Sequence, residues 1–179
     1  MEMTMTQKAP SDLHEHIARL TERGLLTRID RPIDKDSELH PLARWQFQGG
    51  LREEDRRAFL FTNVVGAHGE SYDIPVLVGG LAASPEIYAT GLGVSVDAIG
   101  ALWVKAMANP IAPVLVEKAP CHEIVQTGKD LVAEGGGLAS LPVPISTPGF
   151  DSAPYLTATL CVTKDPENGS RYDGPSDST

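Results

Sequence analysis

Two short clusters of residues that can bind metals occur in the sequence, His-Glu-His at positions 14–16 and Cys-His-Glu at positions 121–123. A metal site requires several such side chains to converge on one point. Neighbouring side chains on a strand point to opposite faces, so residues 121–123 cannot converge and are predicted to lie in a loop or at a sheet edge. Helical ligands must be three or four residues apart, so residues 14–16 are predicted to form a solvated helix face.

Two glycine pairs could in principle bind phosphate groups, Gly79 with Gly80 and Gly91 with Gly93. Neither pair fits G-x-G-x-x-G, the pattern that lets a backbone approach a pyrophosphate, so we predict that both serve as helix caps and turns. The sequence also contains no phosphate-binding P-loop and no Ser-His-Asp order with a nucleophile elbow.

The most informative stretch covers residues 138–171, LASLPVPISTPGFDSAPYLTATLCVTKDPENGSR. Its first part is nearly uncharged and interrupted by prolines, and residues 155–163 are of types that favour a pleated, half-buried strand. Residues 165–169, DPENG, are typical of a tight turn, because Pro presets φ and Asn-Gly tolerates left-handed geometry. The stretch therefore predicts a hairpin whose second strand begins near Ser170.

The pattern LPVPxxTPGFDxAPYLTxxLxVTKDPxxG over residues 141–169 resembles the region that enters the central domain of the UbiD-like decarboxylases. The resemblance extends from about Asp12 to Arg171. In that family the hairpin leads into an Asn-x-Gly-x-Tyr-Arg segment that holds cofactor and metal, whereas residues 172–179 here are YDGPSDST. Family members are more than twice as long, so the resemblance implies a truncated form, a fragment or one piece of a split enzyme.

The resemblance implies roles for two residues. Thr157 falls where the family has a residue lining the flavin and substrate pocket, and Thr159 would share its strand face. Both threonines could instead be present only for their strand propensity. Asp173 falls near the family's metal-binding Asn and is a good ligand for a hard cation, although Pro175 and the missing Tyr-Arg break the motif. Thr157 and Asp173 are thus the candidate cofactor-binding residues, and Asp173 is the candidate metal ligand.

UbiD-like enzymes remove CO2 from, or reversibly add it to, aromatic or α,β-unsaturated carboxylic acids with prenylated FMN, Mn2+ and K+. The resemblance implies that the flavin is the electron sink for the carbon that loses CO2. A metal would hold the cofactor phosphate, and an Arg and acidic residues would bind the carboxylate and deliver the proton. In the family these groups lie downstream of the hairpin, so no catalytic residue is predicted in this chain.

The elements that must position the hairpin begin with a helix. Asp12 and Glu15 predict a capping box, and apolar residues then recur at helical spacing until Gly24. A short strand is predicted over residues 25–30, and a second helix over 37–48, with a proline in its first turn. The apolar runs at residues 58–65 and 74–80 predict buried strands joined by a surface turn.

Ser84, followed by Pro85, predicts the start of a third helix that ends near Leu92. A fourth helix is predicted over residues 95–109, because its apolar residues share one face and Pro110 follows. The apolar residues 114–116 and 124–126 are further strand candidates, and the three glycines at 135–137 indicate a flexible joint.

Interleaved strands and helices indicate a compact α/β domain over residues 12–128. A disordered lead is expected over residues 1–11 and a linker over residues 129–140. The resemblance implies that residues 141–179 are the start of an incomplete split β-barrel like that of the flavin reductases. The predicted fold class is therefore α/β, with an N-terminal α/β domain followed by the first hairpin of this barrel.

Composition excludes several function classes. The chain has 179 residues, 41% hydrophobic and 22% charged, as in an ordinary globular protein. Its formal net charge of −9 argues against nucleic acid as a partner, because backbone phosphates are bound by Lys and Arg. Two cysteines are too few for a disulfide framework. We find no secretion signal and no membrane span in the sequence, so we expect a cytoplasmic protein.

Two hypotheses remain open at this stage. The chain could be the N-terminal part or subunit of a UbiD-like decarboxylase, with the missing central and C-terminal regions or a complementary subunit as partner and a homo-oligomer as the full enzyme. It could instead be a non-catalytic assembly or regulatory module derived from such an enzyme, because a half-built barrel exposes strand edges that a partner can complete.

Overall fold

The computed structural model describes residues 8–112, 114–156, 158, 161–169 and 171–174. The α-helices are α1 (Leu13–Glu22), α2 (Leu39–Gln48), α3 (Pro85–Leu92), α4 (Ile99–Ala108) and α5 (Lys129–Val132). The strands are β1 (Leu26–Ile29), β2 (Ile33–Asp34), β3 (Ala58–Phe61), β4 (Val64–Val65), β5 (Ser71–Tyr72), β6 (Val76–Val78), β7 (Cys161–Lys164) and β8 (Arg171–Gly174). Single 3₁₀ turns lie at Glu53–Asp55, Val96–Ala98, Pro120–His122 and Gly137–Ser140.

The described strands form three small sheets. In the first, β3 lies between β1, to which it is parallel, and β6, to which it is antiparallel. In the second, β4 pairs in parallel with β2 and antiparallel with β5. The third is the hairpin of β7 and β8. Parallel pairs joined through helices, together with short antiparallel returns, give the mixed α/β architecture that the sequence predicts.

Two apolar clusters form the core. The first joins α1, α3 and the β1–β3 pair, and its buried members are Leu20, Leu25, Ala58, Ala83 and Ile87. The second joins α2 with strands of both the first and second sheets, and Ile33, Leu39, Phe61 and Val64 are its buried members. All of these residues precede α4, so both core clusters lie in the first half of the chain.

Local signals at helix ends account for α1 and α3. The side chain of Asp12 accepts a hydrogen bond from the backbone N–H of Glu15, and Ser84 accepts one from Ile87. Helix α3 ends at Gly93, whose φ of 69° is left-handed. The predicted caps at these three positions are confirmed.

The prediction of strands at residues 114–116 and 124–126 is wrong. Neither segment is a strand, and Val114, Leu115 and Ile124 are each more than four-fifths exposed. A run of β-branched residues becomes a strand only where another strand pairs with it, and the described residues offer none here. The fourth helix also begins differently, because residues 96–98 form a 3₁₀ turn ahead of α4.

The predicted hairpin near the end of the chain is confirmed in its turn and pairing. Residues 165–169 connect β7 to β8, Gly169 N–H donates to Asp165 O at 2.9 Å, and Lys164 pairs with Arg171. Strand β7 begins at Cys161, later than the predicted start at Tyr155. Thr157 and Thr159 lie outside the described residues.

In the part of the chain that the structure describes, no single helix has the length and apolar character needed to cross a membrane. Helix α3 and residues 96–108, which are bent by 69° relative to each other, meet the length and composition criteria only as a pair.

Candidate functional site

An apolar groove of about 770 Å³ lies beside β6 and the turn that follows it. Its volume falls within the roughly 300–1,000 Å³ typical of ligand pockets. Residues 74–83 form one wall, residues 141–144 together with Tyr155, Leu156 and Ala158 contribute to the lining, and Leu13, His40 and Phe47 complete it. The predicted strand at residues 74–80 and the Pro-rich segment thus come together at this groove.

The turn at Gly79 and Gly80 requires glycine at position 79 and leaves little room for a side chain at position 80. Gly79 has a φ of +71°, and a Cβ there would lie 3.0 Å from the Cβ of Ala83. A Cβ at Gly80 would lie 2.3 Å from a methyl carbon of Leu77. The prediction that this pair forms a turn is confirmed, and the turn allows the backbone to lie close to α1.

His16 holds this turn against α1. It is 6% exposed, and its Nε2 is 2.7 Å from the carbonyl oxygen of Gly80. Because a carbonyl oxygen can only accept, Nε2 is the donor in this hydrogen bond. Nδ1 is buried and has no hydrogen-bond partner among the described residues. The prediction that residues 14–16 form a solvated face is therefore wrong for His16. On α1 it lies four residues before the buried Leu20, and it faces the core.

His40 and Tyr155 are the titratable side chains that the structure describes in the groove lining. Burial lowers the pKa of His40, and the negative charge of Asp151 acts in the opposite direction. Asp151 is held by its own turn, in which its carboxylate accepts from Thr147 N–H at 2.7 Å and its N–H donates to Thr147 O at 3.0 Å. The TPGFD motif thus positions a carboxylate near an imidazole.

The chemistry that this groove can perform alone is limited. Its wall is mostly aliphatic, Pro142 within it is buried, and His40 contributes one imidazole. The imidazole of His40 can accept a proton and the phenol of Tyr155 can donate one, but the described lining residues supply no carboxylate, thiol or ammonium group. The groove is therefore suited to bind apolar groups.

Of the two predicted site residues, the structure describes only the backbone of Asp173. Thr157 lies outside the described residues, and the backbone of Asp173 pairs with Val162 across the hairpin of β7 and β8. Their roles remain predictions. Residues 121–123 are exposed, and Cys121 and His122 lie on a 3₁₀ turn rather than on a strand edge.

Within the described ranges, no group of three or more His, Cys, Asp or Glu side chains could hold a metal ion. The donor set described here therefore does not fit a metal that would in turn hold a flavin phosphate. The polar cleft between α1 and α3 is also not such a site, because Arg23 there is paired with Glu86 at 2.7 Å. This ion pair connects the two helices.

The sequence of this chain matches the family described as "3-octaprenyl-4-hydroxybenzoate carboxy-lyase N-terminal domain" (UbiD_N) over residues 17–107. That match covers more than half of the chain and includes all the buried members of both core clusters. The chain belongs to the UbiD family.

Two solved UbiD-class structures are similar to this UbiD family member. The enzyme HmfF from Pelotomaculum thermopropionicum in complex with FMN has a TM-score of 0.68 and 30% identity, over 90% of this chain and 32% of that one. An evolved dimeric form of HmfF in complex with prFMN has a TM-score of 0.70 and 29% identity, over 90% of this chain and 34% of that one. The chain thus spans about a third of the length of these UbiD-class enzymes.

Proposed function

We propose that this chain is the N-terminal part or subunit of a UbiD-like decarboxylase. The complete enzyme removes CO2 from, or reversibly adds it to, an aromatic or α,β-unsaturated carboxylic acid with prenylated FMN, Mn2+ and K+. In this proposal, residues 12–128 form the N-terminal domain, residues 129–140 are a linker, and β7 and β8 open the split barrel that completes the flavin site.

One observation carries the proposal. The chain aligns over 90% of its own length with flavin-bound UbiD-class enzymes but covers only about a third of theirs. This coverage supports a division in which this chain supplies the scaffold and the remaining polypeptide supplies the flavin site and the catalytic groups.

The alternative, a non-catalytic assembly or regulatory module, is favoured by the hairpin of β7 and β8. This hairpin is a two-stranded sheet in the described structure, so each strand has an edge that another strand could join. In this alternative, a partner would complete the sheet without any contribution of the chain to turnover.

A joined polypeptide tests the proposal. The full 179-residue chain is fused to the remaining two thirds of HmfF, the part that this chain does not match. The fusion protein is then loaded with prenylated FMN, Mn2+ and K+. Decarboxylation of a panel of aromatic and α,β-unsaturated acids is measured by release of CO2. The matched control is the same HmfF part without this chain.

We expect turnover of at least one acid by the joined polypeptide and none by the control. A joined polypeptide that is soluble and loaded with flavin, yet releases CO2 from no acid of the panel, contradicts the proposed function and leaves the module as the better description.

A further inference from the structure

A long segment after α4 exposes nearly all of its large apolar side chains. We refer to residues 109–139 as the arm. The exposed fractions are 94% for Ile111, 83% for Leu115, 81% for Ile124 and 85% for Val132. Isolated exposed aliphatic residues are ordinary, but a continuous series of them marks a surface that is covered by something else.

The backbone of the arm is held mainly by local hydrogen bonds. Several of its N–H groups donate to carbonyls three residues earlier, as from Glu123 to Pro120 and from Gly136 to Ala133. The described hydrogen bond of the arm with the greatest sequence separation joins Gly137 N–H to Gln126 Oε1 at 2.8 Å, and both residues belong to the arm. The described hydrogen bonds thus fold the arm locally, while its large apolar side chains stay exposed instead of packing into the two core clusters.

The apolar surface of the arm continues onto α4. Val104 is 71% exposed and Met107 is 78% exposed, just before the arm begins. The indole of Trp103 is fixed by a hydrogen bond of 2.8 Å from its Nε1 to the hydroxyl of Tyr88. Trp103, Val104 and Met107 share one face of α4, and the arm follows this helix directly in the chain. Together they expose aromatic, Met and aliphatic groups of the kind found at interface centres.

We propose that the arm and this face of α4 pack against the flavin-binding polypeptide that follows the matched region in UbiD-class enzymes. This inference rests on the proposed function and names the surface through which the two parts meet. The alignment with HmfF leaves only about a tenth of this chain outside it, fewer residues than the arm contains. At least part of the arm therefore belongs to the shared fold, in enzymes whose other two thirds are available to cover it.

A second copy of this chain is a weaker candidate for the occupant. It would have to bury the arm by an intermolecular contact, whereas a polypeptide joined to the same chain meets the arm at a high effective concentration. The two occupants predict different behaviour of the isolated chain, because only the second copy protects the arm when no other polypeptide is present.

Hydrogen exchange of the arm tests this inference without any measurement of turnover. Amide exchange of residues 109–139 is compared between the isolated 179-residue chain and the chain joined to the remaining part of HmfF. We expect exchange in the arm to be slower by about tenfold or more in the joined polypeptide, since packing closes these amides to solvent. Equal exchange in the two proteins overturns the inference, and so does an isolated chain that dimerises and protects its arm.

Leu115→Asp supplies a second readout, with Leu51→Asp as its control. Leu51 is 49% exposed and lies outside the arm, the α4 face and the groove. We expect Leu115→Asp to lower the Tm and the FMN content of the joined polypeptide but to leave the Tm of the isolated chain unchanged. If it has no larger effect than Leu51→Asp in the joined polypeptide, the inference is wrong.

The two tests fail separately. A joined polypeptide with a protected arm but no decarboxylation leaves the docking surface in place and contradicts the proposed function. A joined polypeptide that decarboxylates while its arm stays unprotected supports the proposed function and contradicts the docking surface.

Discussion

Glu15 links the start of α1 to the pH of the solution. Hydrogen bonds from the backbone N–H and the hydroxyl of Ser11, together with the guanidinium of Arg19, lower the pKa of Glu15 to about 2 from an ordinary value of 4.5. The N–H of Glu15 in turn donates to Asp12. One carboxylate therefore fixes the residues that precede the helix as well as its first turn.

This arrangement predicts a pH dependence of stability. A carboxylate with a lower pKa in the folded state stabilises the fold above its unfolded pKa, and that stabilisation is lost as the pH falls from about 4.5 towards 2. We expect Glu15→Gln to flatten the dependence of the urea midpoint on pH in this window. Glu22→Gln, at the exposed end of the same helix, is the control. An unchanged pH dependence in Glu15→Gln contradicts the role assigned to this carboxylate.

The two histidines of α1 should differ in how much they contribute to the free energy of unfolding. His16→Ala removes the buried hydrogen bond to Gly80 and leaves a cavity, and we expect a loss of about 2–3 kcal/mol in the free energy of unfolding. His14→Ala, two residues earlier and exposed, should change it by less than about 0.5 kcal/mol. Denaturant unfolding at one pH measures both. Equal effects of the two variants would show that the Gly80 contact does not stabilise the fold.

At the scale of elements, two serines precede helical turns and only one of them forms a cap. Ser84 is 3% exposed and accepts from Ile87 N–H, whereas Ser95 makes no capping hydrogen bond with its side chain. We expect Ser84→Ala to cost about 1 kcal/mol and Ser95→Ala less than about 0.5 kcal/mol. Thermal unfolding of the two variants measures the difference, and a larger effect at Ser95 would contradict it.

The elements also show which parts of the fold can be predicted from sequence. Asp12, Ser84 and Gly93 are predictable because a cap depends on a few neighbouring residues. Strands β2 and β5 have only two residues each, too few for a periodic pattern, and both were missed. The strand expected at 124–126 fails because pairing depends on residues far away in the chain.

The groove was predictable only in part. Its two main walls come from stretches that the sequence singles out, residues 74–80 and 141–144. The role of His16 in supporting the groove was missed. Only apolar residues were used to find the buried face of α1, and a histidine was assigned to the exposed face because its side chain is polar. Its position four residues before Leu20 is the signal that could have placed it on the inner face.

At the scale of the whole molecule, the residues before α4 and the arm after it differ in how much apolar surface they bury. Both core clusters lie before α4, while the arm after it exposes its aliphatic side chains. The family match over residues 17–107 contains all the buried members of both core clusters. In our account the first part is a scaffold, and the second part gains its packing from the polypeptide that carries the flavin.

Flavin binding by the isolated protein tests this account most directly. The 179-residue chain is purified after expression with prenylated FMN, and its absorbance, its metal content and its release of CO2 from the acid panel are measured beside HmfF. We predict a colourless protein without stoichiometric flavin or metal and without turnover. A yellow, metal-loaded protein that releases CO2 unaided would contradict the account.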